Sequence, residues 1–414
     1  MNSSPESGAP AGALVIVNRY CYPDRSATSQ ILFDLAEAVS ATGRQVHVFC
    51  SRQLYDDAKA RLAPFESYHG VDIHRVFTTR FGRGALLGRS IDYASFYVSV
   101  ACKLLWRLRR GDVLIAKTDP PLLSILAAPL ARMKGAILIN WQQDVFPEVA
   151  SELGANPLPR WLDARLRRWR DASLKAARLN VTVGERMQEY LHQRGIPMAQ
   201  IKVVENWSDS RAIVPKPSSE SALRQRLGLG RDFVVGYSGN LGRAHESEAL
   251  LGAAVRLRDD PAVTFLFIGG GVKMEALRSA ARERTLTRVC FLPYQPRESL
   301  EDSLAAADVH LASLLPSLEG LIVPSKFYGI LAAGRPVIFI GDQDGELARI
   351  IRQERCGIIV PAGDADALVA AIARLKADPE LCAAMGVAAR SLAGRYSLES
   401  GVIRWLTLLQ GLNA

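Results

Sequence analysis

Short apolar, β-branched runs separated by longer amphipathic stretches recur along this 414-residue chain, and they come in two successive sets. The first set reads ALVIVNR (13–19), QVHVFCS (45–51), VDIHRVF (71–77), DVLIAK (112–117), AILINW (136–141), NVTVG (180–184) and IKVVEN (201–206). Between its first two members, Ser29 to Thr42 carries the period of an amphipathic helix and stops at Gly43. The second set reads FVVGYSG (233–239), VTFLFIGGG (263–271), VCFLPY (289–294), VHLAS (309–313), PVIFIG (336–341) and GIIVPAG (357–363). Strand–helix alternation implies βαβ units and a parallel sheet covered by helices. The Pro- and Ser-rich stretch VPKPSSESAL (214–223) separates the sets. The expected organisation is a disordered tail (1–12) and two Rossmann-like, doubly wound α/β domains, 13–213 and 214–414. The last helix is free to pack back on the first domain. Open parallel sheets take ligands outside the carboxyl ends of their strands, so two of them define a cleft between facing loops.

At 49% hydrophobic and 22% charged residues the chain can fill real cores, which excludes an intrinsically disordered protein. Its six cysteines are scattered, without CxxC and without His at metal-ligand spacing, and read as buried small hydrophobes in a reducing compartment. No apolar run approaches the roughly 18 residues of a spanning helix, and the first dozen residues lack the features of a signal peptide. The expected location is the cytoplasm, including the inner face of the cytoplasmic membrane. Residues 1–209 hold 27 Lys and Arg against 20 Asp and Glu, and residues 210–414 hold 24 against 22. The excess gathers at 80–110 and 160–178, which favours an anionic partner. In YASFYVSVACKLLWRLRR (93–110), Phe96, Tyr97, Val100, Leu104 and Leu105 precede Trp106 and three arginines. That is the pattern of a helix lying on an anionic membrane surface, or of a domain helix with a solvated basic end. Nucleic acid is not expected as a partner, since no RRM, helix-turn-helix or zinc pattern accompanies the charge.

The most informative segment is PSLEGLIVPSKFYGILAAGRPVIFIG (316–341). A strand leads into a loop with Glu319 and Gly320, then Pro324-Ser325-Lys326 opens a helix that ends at Gly334. Ser325 is expected to cap this helix, and the amides around Val323 and Ser325 beside Lys326 would suit a nucleotide diphosphate. The alternative is an ordinary capped helix with a solvated lysine. YSGNLGRAH (237–245) supplies Gly239 and Asn240 at a strand end, with Arg243 and His245 in reach of an anion. FIGGG (267–271) supplies Gly269 and Gly270 for a tight backbone turn, without the GxGxxG spacing of a dinucleotide fold. In the first half, INWQQDVFPE (139–148) offers Asp144, either to orient or deprotonate a hydroxyl or to cap the following turn. KTDPP (117–121) ends a further strand that could line the same cleft. No histidine spacing suggests a metal, and none is expected.

On PSLEG (316–320), ILAAGRPVI (330–338) and the opening ALVIVNRYCYP, the chain resembles the retaining, metal-independent family 4 glycosyltransferases of GT-B fold over essentially its full length. The resemblance implies transfer of a sugar from a UDP- or GDP-type donor to a saccharide or polyprenyl-diphosphate-linked acceptor. It implies Glu319 on donor sugar hydroxyls, Lys326 and Arg243 on the leaving diphosphate, and Tyr294 and Gln295 at the nucleobase edge. Two departures stand out. The second glutamate of the family pattern would fall at position 329, which is Gly329, and the spacing from Glu319 to Gly334 is two residues longer than usual. The usual Gly-Arg pair is Gly239-Asn240, which leaves Arg243 or His245 as the basic partner. The PSK and GNLGRAH segments resemble a branch that builds surface polysaccharides, including fucosyl- and N-acetylfucosaminyl-transferases of the colanic acid type. The rival readings are a nucleotide-sugar epimerase on the same architecture, or a degenerate sugar-nucleotide-binding partner subunit. An epimerase would need no acceptor.

Overall fold

The computed structural model describes residues 12–412 except Arg25, Asp56, Ala58 and 83–85. Residues 1–11 of the expected tail, and Arg83 of the first basic stretch, lie outside the described residues. The run LVIV is buried at every position because its strand, β1 (Leu14–Val17), is flanked by strands on both edges and covered on both faces. With it pair β2 (Val46–Ser51), β3 (Phe65–Tyr68), β4 (Val71–Val76), β5 (Val113–Ala116), β6 (Ile137–Gln142), β7 (Leu179–Thr182) and β8 (Ile201–Val203). Their order is β3-β4-β2-β1-β5-β6-β7-β8, parallel throughout except for β3, which folds back on β4. The second sheet contains β9 (Phe233–Asn240), β10 (Val263–Gly270), β11 (Val289–Leu292), β12 (Val309–Ser313), β13 (Val337–Gly341) and β14 (Gly357–Pro361). Its order is β11-β10-β9-β12-β13-β14, all parallel. Strand order therefore reverses between β1 and β5 and between β9 and β12, and a doubly wound sheet opens its ligand crevice at such a point.

The helix Leu86–Arg107 turns Phe96, Val100 and Leu104 onto the first sheet, where they are fully buried with Val15, Phe49 and Leu114. Of the two readings of this stretch, the structure shows the domain helix with a solvated basic end. The apolar stripe that a membrane would need is already covered by the domain's own core, and what faces outward is Val98, Leu105 and Trp106. No helix among the described residues is long and apolar enough to cross a membrane.

The two sheets are joined by a continuous apolar core. Val145, Val149, Leu174, Met187 and Leu191 from the first half pack with Leu318, Leu321, Val323 and Phe327 from the second. Burying side chains of this size contributes about 1.5–3 kcal/mol each before entropic costs, so the halves are held in one relationship by packing. The final helix, Leu398–Gln410, crosses back to the helix Ala27–Ser40. Its Trp405 is fully buried 4.5 Å from the Trp141 ring, and Trp207 donates its indole N–H to Asp34 at 3.1 Å.

Candidate active site

β9 and β10 end side by side in bare backbone. Gly239 and Gly269 are register partners with φ of 120° and 127°, and a Cβ on Gly269 would stand 2.2 Å from the Gly239 carbonyl oxygen. Only glycine fits there. The result is a side-chain-free floor beside the crevice between β9 and β12.

Lys326 reaches over that floor from the first position of the short helix Lys326–Ala332, which follows the loop after β12. Its Nζ donates to the Tyr237 hydroxyl and to the Asn240 carbonyl (3.4 Å), and lies 3.7 Å from the Tyr237 ring centroid. Burial pushes the ammonium well below the usual lysine range. No carboxylate among the described residues lies within ion-pair distance of it. A desolvated cation held on an aromatic face, without a counter-charge, is prepared for an anionic ligand. Tyr237 was missed by sequence reasoning. Its only signal is the strand period, which puts it on the same face of β9 as Gly239.

Other basic groups converge here. Arg243 is exposed, with no carboxylate partner among the described residues. Lys273, in the first turn of the helix Val272–Glu283, donates its Nζ to the His245 carbonyl at 2.5 Å. His245 itself donates Nδ1–H to the Ser313 carbonyl at 2.6 Å, and burial together with Lys326 pulls its imidazole down to about 3. Burial thus favours its neutral form in the ligand-free chain. In that form it offers an Nε2 lone pair and no charge. The expected cap at Ser325 is corrected. Ser325 already has helical φ and ψ (−63°, −22°) and makes no side-chain capping bond, because an N-cap hydroxyl reaches the helix amides only from an extended backbone. Val323 is buried in the core between the sheets.

Glu319 accepts the Glu346 backbone N–H on Oε1 at 2.7 Å, and burial raises its carboxyl above the ordinary range. Glu346 in turn accepts the amides of Glu185 (3.1 Å) and Arg186 (2.8 Å), at the start of the first-half helix Glu185–Gln193. A Cβ on Gly320 (φ 74°) would stand 3.2 Å from the Arg186 carbonyl. The Glu319 loop is thus seated directly against the first half. Gly329 has only Leu304 nearby, at 3.9 Å from a would-be Cβ. Tyr294 is exposed on the loop after β11, its ring 3.2 Å from where a Gly270 Cβ would be. Gln295 donates its side-chain amide to the Pro293 carbonyl at 2.9 Å, so that amide is engaged within its own loop.

Across the crevice, Asp144 forms an antiparallel bridge with Ile322, and the Val145 N–H donates to the Leu321 carbonyl at 3.0 Å. Burial and the neighbouring Asp119 push the Asp144 carboxyl up to about 6, against the opposing pull of Lys117. Lys117 is buried at the end of β5, donates to the Thr28 carbonyl at 3.1 Å and lies 3.8 Å from the Trp141 ring centroid. Burial lowers its ammonium to about 7. Two groups of opposite charge type thus titrate near neutrality at the first sheet's switch point. The sequence placed Lys117 only on a strand that could line the cleft.

The structure brings Gly239, Asn240, Arg243, His245, Gly269, Gly270, Tyr294 and Lys326 to one sheet edge, and the Ile322 bridge joins Asp144 to the same loop. Residues 27–207 match the family model described as "Glycosyl transferase 4-like domain", and residues 232–378 match "Glycosyl transferases group 1". The "Probable glycosyltransferase WbjE" of Pseudomonas aeruginosa is 28% identical over 324 residues, covering 77% of this chain and 79% of that one. WcaI of Escherichia coli K12, named for glycosyl transfer in colanic acid biosynthesis, is 27% identical over 297 residues, covering 69% and 72%. The solved structure of HepE from Anabaena in complex with UDP-glucose superposes with a TM-score of 0.72 at 18% identity, over 96% of this chain and 99% of that one. With both halves matched in order and the two-sheet architecture shared, this chain belongs to the group 1 glycosyltransferases and is an enzyme of GT-B fold.

Proposed function

We propose that the protein transfers a sugar, with retention and without a metal, from a nucleotide-diphosphate donor to a lipid-linked saccharide in cell-surface polysaccharide assembly. The observation that carries this reading is Lys326, desolvated and without a carboxylate partner above the bare strand ends of β9 and β10. WcaI and WbjE, by their names, support the reaction class and a polysaccharide product. HepE, solved with UDP-glucose on the same fold, supports a nucleotide-sugar donor.

In the reaction the bond from the anomeric carbon to the diphosphate oxygen breaks, and a bond to the acceptor oxygen forms. Negative charge grows on the leaving diphosphate. Lys326 and Lys273, each held by hydrogen bonds, would meet that charge with Arg243 beside them, and groups aimed at charge that grows in the reaction stabilise the transition state more than the ground state. Glu319, whose carboxyl accepts the Glu346 and Gly320 amides, would orient a donor sugar hydroxyl. The acceptor's proton passes to Asp144, whose raised carboxyl pKa makes it an effective base near neutral pH. Asp144 enters through the Ile322 bridge, on the loop that ends at Lys326. Retention requires base and leaving-group cations on one side of the donor, and the bridge from Asp144 to the segment that leads to Lys326 supports that reading. A lipid-linked acceptor would place the enzyme on the inner membrane face.

A panel of UDP-, GDP- and TDP-sugars in thermal-shift assays tests the donor class, since a ligand of the native state raises the melting temperature. The stabilising donor is then incubated with polyprenyl-diphosphate-linked saccharides and the product's anomeric configuration read by NMR. Inversion would overturn the retaining reading, and conversion of the donor without acceptor would point to the epimerase instead.

A further inference from the structure

We propose that His47, Asp72 and His74 form a binding site for a divalent transition-metal ion of the zinc class, separate from the transfer site. His47 and Asp72 are register partners on the adjacent parallel strands β2 and β4, and His74 follows Asp72 on the same face of β4. His47 Nδ1 lies 3.4 Å from His74 Nε2 and 3.5 Å from Asp72 Oδ2, and all three ligand atoms fall within 4.8 Å of one another. A tetrahedral ion with bonds of about 2.0–2.1 Å sets its ligand atoms about 3.4 Å apart. Two imidazoles and one carboxylate are donors that zinc, copper and nickel accept.

Proton counting favours a cation there. His47 Nδ1 carries at most one hydrogen, and it can serve either Asp72 or His74 Nε2 but not both. The cluster therefore presents converging lone pairs with too few protons between them, and a metal ion satisfies all three.

The His74 ring is fixed for this role. It stacks on Phe49 at 4.9 Å, and Phe65 from β3 packs against it at 5.2 Å. Beside it opens a cavity of about 380 Å³ lined by Asp72, Phe65, Lys103 and Arg107. Arg75, on the same cavity, is already paired with Glu66 at 2.7 Å and does not compete for Asp72. Lys103 and Arg107 oppose a bare cation, but they favour an anionic fourth ligand from solvent, such as hydroxide, phosphate or a carboxylate. His47 and Asp72 sit near the starts of β2 and β4 and His74 two residues further along β4, while the transfer site lies beyond the carboxyl ends of the strands. The ion takes no part in glycosyl transfer.

The test uses the full-length protein, stripped of metal by chelation and dialysis. Calorimetric titration with Zn²⁺ is expected to show one saturable site per chain, with a raised melting temperature. Co²⁺ in place of Zn²⁺ should give the intense visible absorption of a four-coordinate ion. His47→Ala and His74→Ala should each abolish all three signals. His69→Ala removes an imidazole that pairs with Glu37 elsewhere, and should leave them unchanged. Should an alanine variant fail to fold by circular dichroism, Asp72→Asn and His47→Gln carry the test. No saturable site in the wild type, or binding that survives loss of His47 or His74, overturns the proposal.

Discussion

The Val145 amide donates to the Leu321 carbonyl at 3.0 Å, tying the loop after β6 in the first half to the loop after β12 in the second. On one side of that bond stands Asp144, and on the other the chain runs through Ile322 into Lys326. Apolar packing of Val145 with Leu321, Val323 and Phe327 surrounds it. Together with that packing, the backbone bond holds the loop that bears Asp144 against the segment that leads to Lys326, the two residues proposed as base and as leaving-group cation. Misplacement by even an ångström at such a junction is costly to catalysis.

Lys326→Ala should keep the melting temperature within a few degrees and lower kcat by roughly 10²–10³-fold, the loss expected when one preorganised donor is removed from a developing negative charge. Near wild-type turnover at saturating donor would remove Lys326 from the mechanism. The wild type offers a second readout. Burial depresses the free lysine's pKa, and a bound diphosphate would raise it again, so nucleotide binding should take up protons increasingly as pH rises. Calorimetry in buffers of different ionisation enthalpy measures that uptake.

The acid limb of the pH–rate profile should reflect Asp144. As a base it acts only when ionised, so kcat/KM should rise with pH through an apparent pKa near 6 and level off above it. Asp144→Asn should flatten that limb and slow the reaction. Lys117 lowers the Asp144 pKa, so Lys117→Met should move the limb to higher pH. Since Asp119, Lys117 and Asp144 interact, the observed values belong to the group. A limb that stays in place in Lys117→Met would show that the two do not communicate.

Most of the strands were legible as apolar runs, because a parallel strand buried on both faces needs little more than β-branched residues. The edge strand β3 was not: FESY is exposed or half-exposed along its length and carries no such signal. The helix Leu86–Arg107 was legible as a helix, yet its apolar stripe looks the same whether a sheet or a membrane covers it. At the site, Lys326 and the glycines could be read from local pattern. Tyr237 beneath Lys326, and Lys117 against Trp141, could not, since only the packing of separate elements brings them together. The same holds for His47 and His74, which no linear spacing connects.

Glycosyl transfer should survive EDTA at an unchanged rate. In the proposed mechanism, Lys326, Lys273 and Arg243 take the part that a divalent ion would otherwise play at the diphosphate. The same treatment should strip any ion from His47, Asp72 and His74, so unchanged turnover with a lowered melting temperature would separate the two sites. Loss of activity restored by Mg²⁺ or Mn²⁺ would mean that the basic array alone does not carry the leaving group.

The surface that would meet an anionic membrane is smaller than the count of arginines implies. On the helix Arg160–Ala176, Arg167 is engaged by Asp163 at 2.7 Å, and Arg170 by Glu148 at 2.6 Å and Asp171 at 2.7 Å. At the end of Leu86–Arg107, however, Trp106 is 88% exposed, with Leu105 also outward and Arg109 and Arg110 following on the surface. An exposed indole beside free guanidinium groups suits the headgroup layer, and each basic residue there contributes on the order of 1 kcal/mol within a Debye length of an anionic leaflet. The protein should therefore co-sediment with phosphatidylglycerol vesicles at low salt and release at high salt, with little binding to phosphatidylcholine. The triple variant Trp106→Ala, Arg109→Ser, Arg110→Ser should weaken that binding about tenfold or more without lowering the melting temperature, because none of the three side chains belongs to the buried core. Equal sedimentation on both lipids, or none lost in the triple variant, would leave this corner of the first domain as ordinary surface charge.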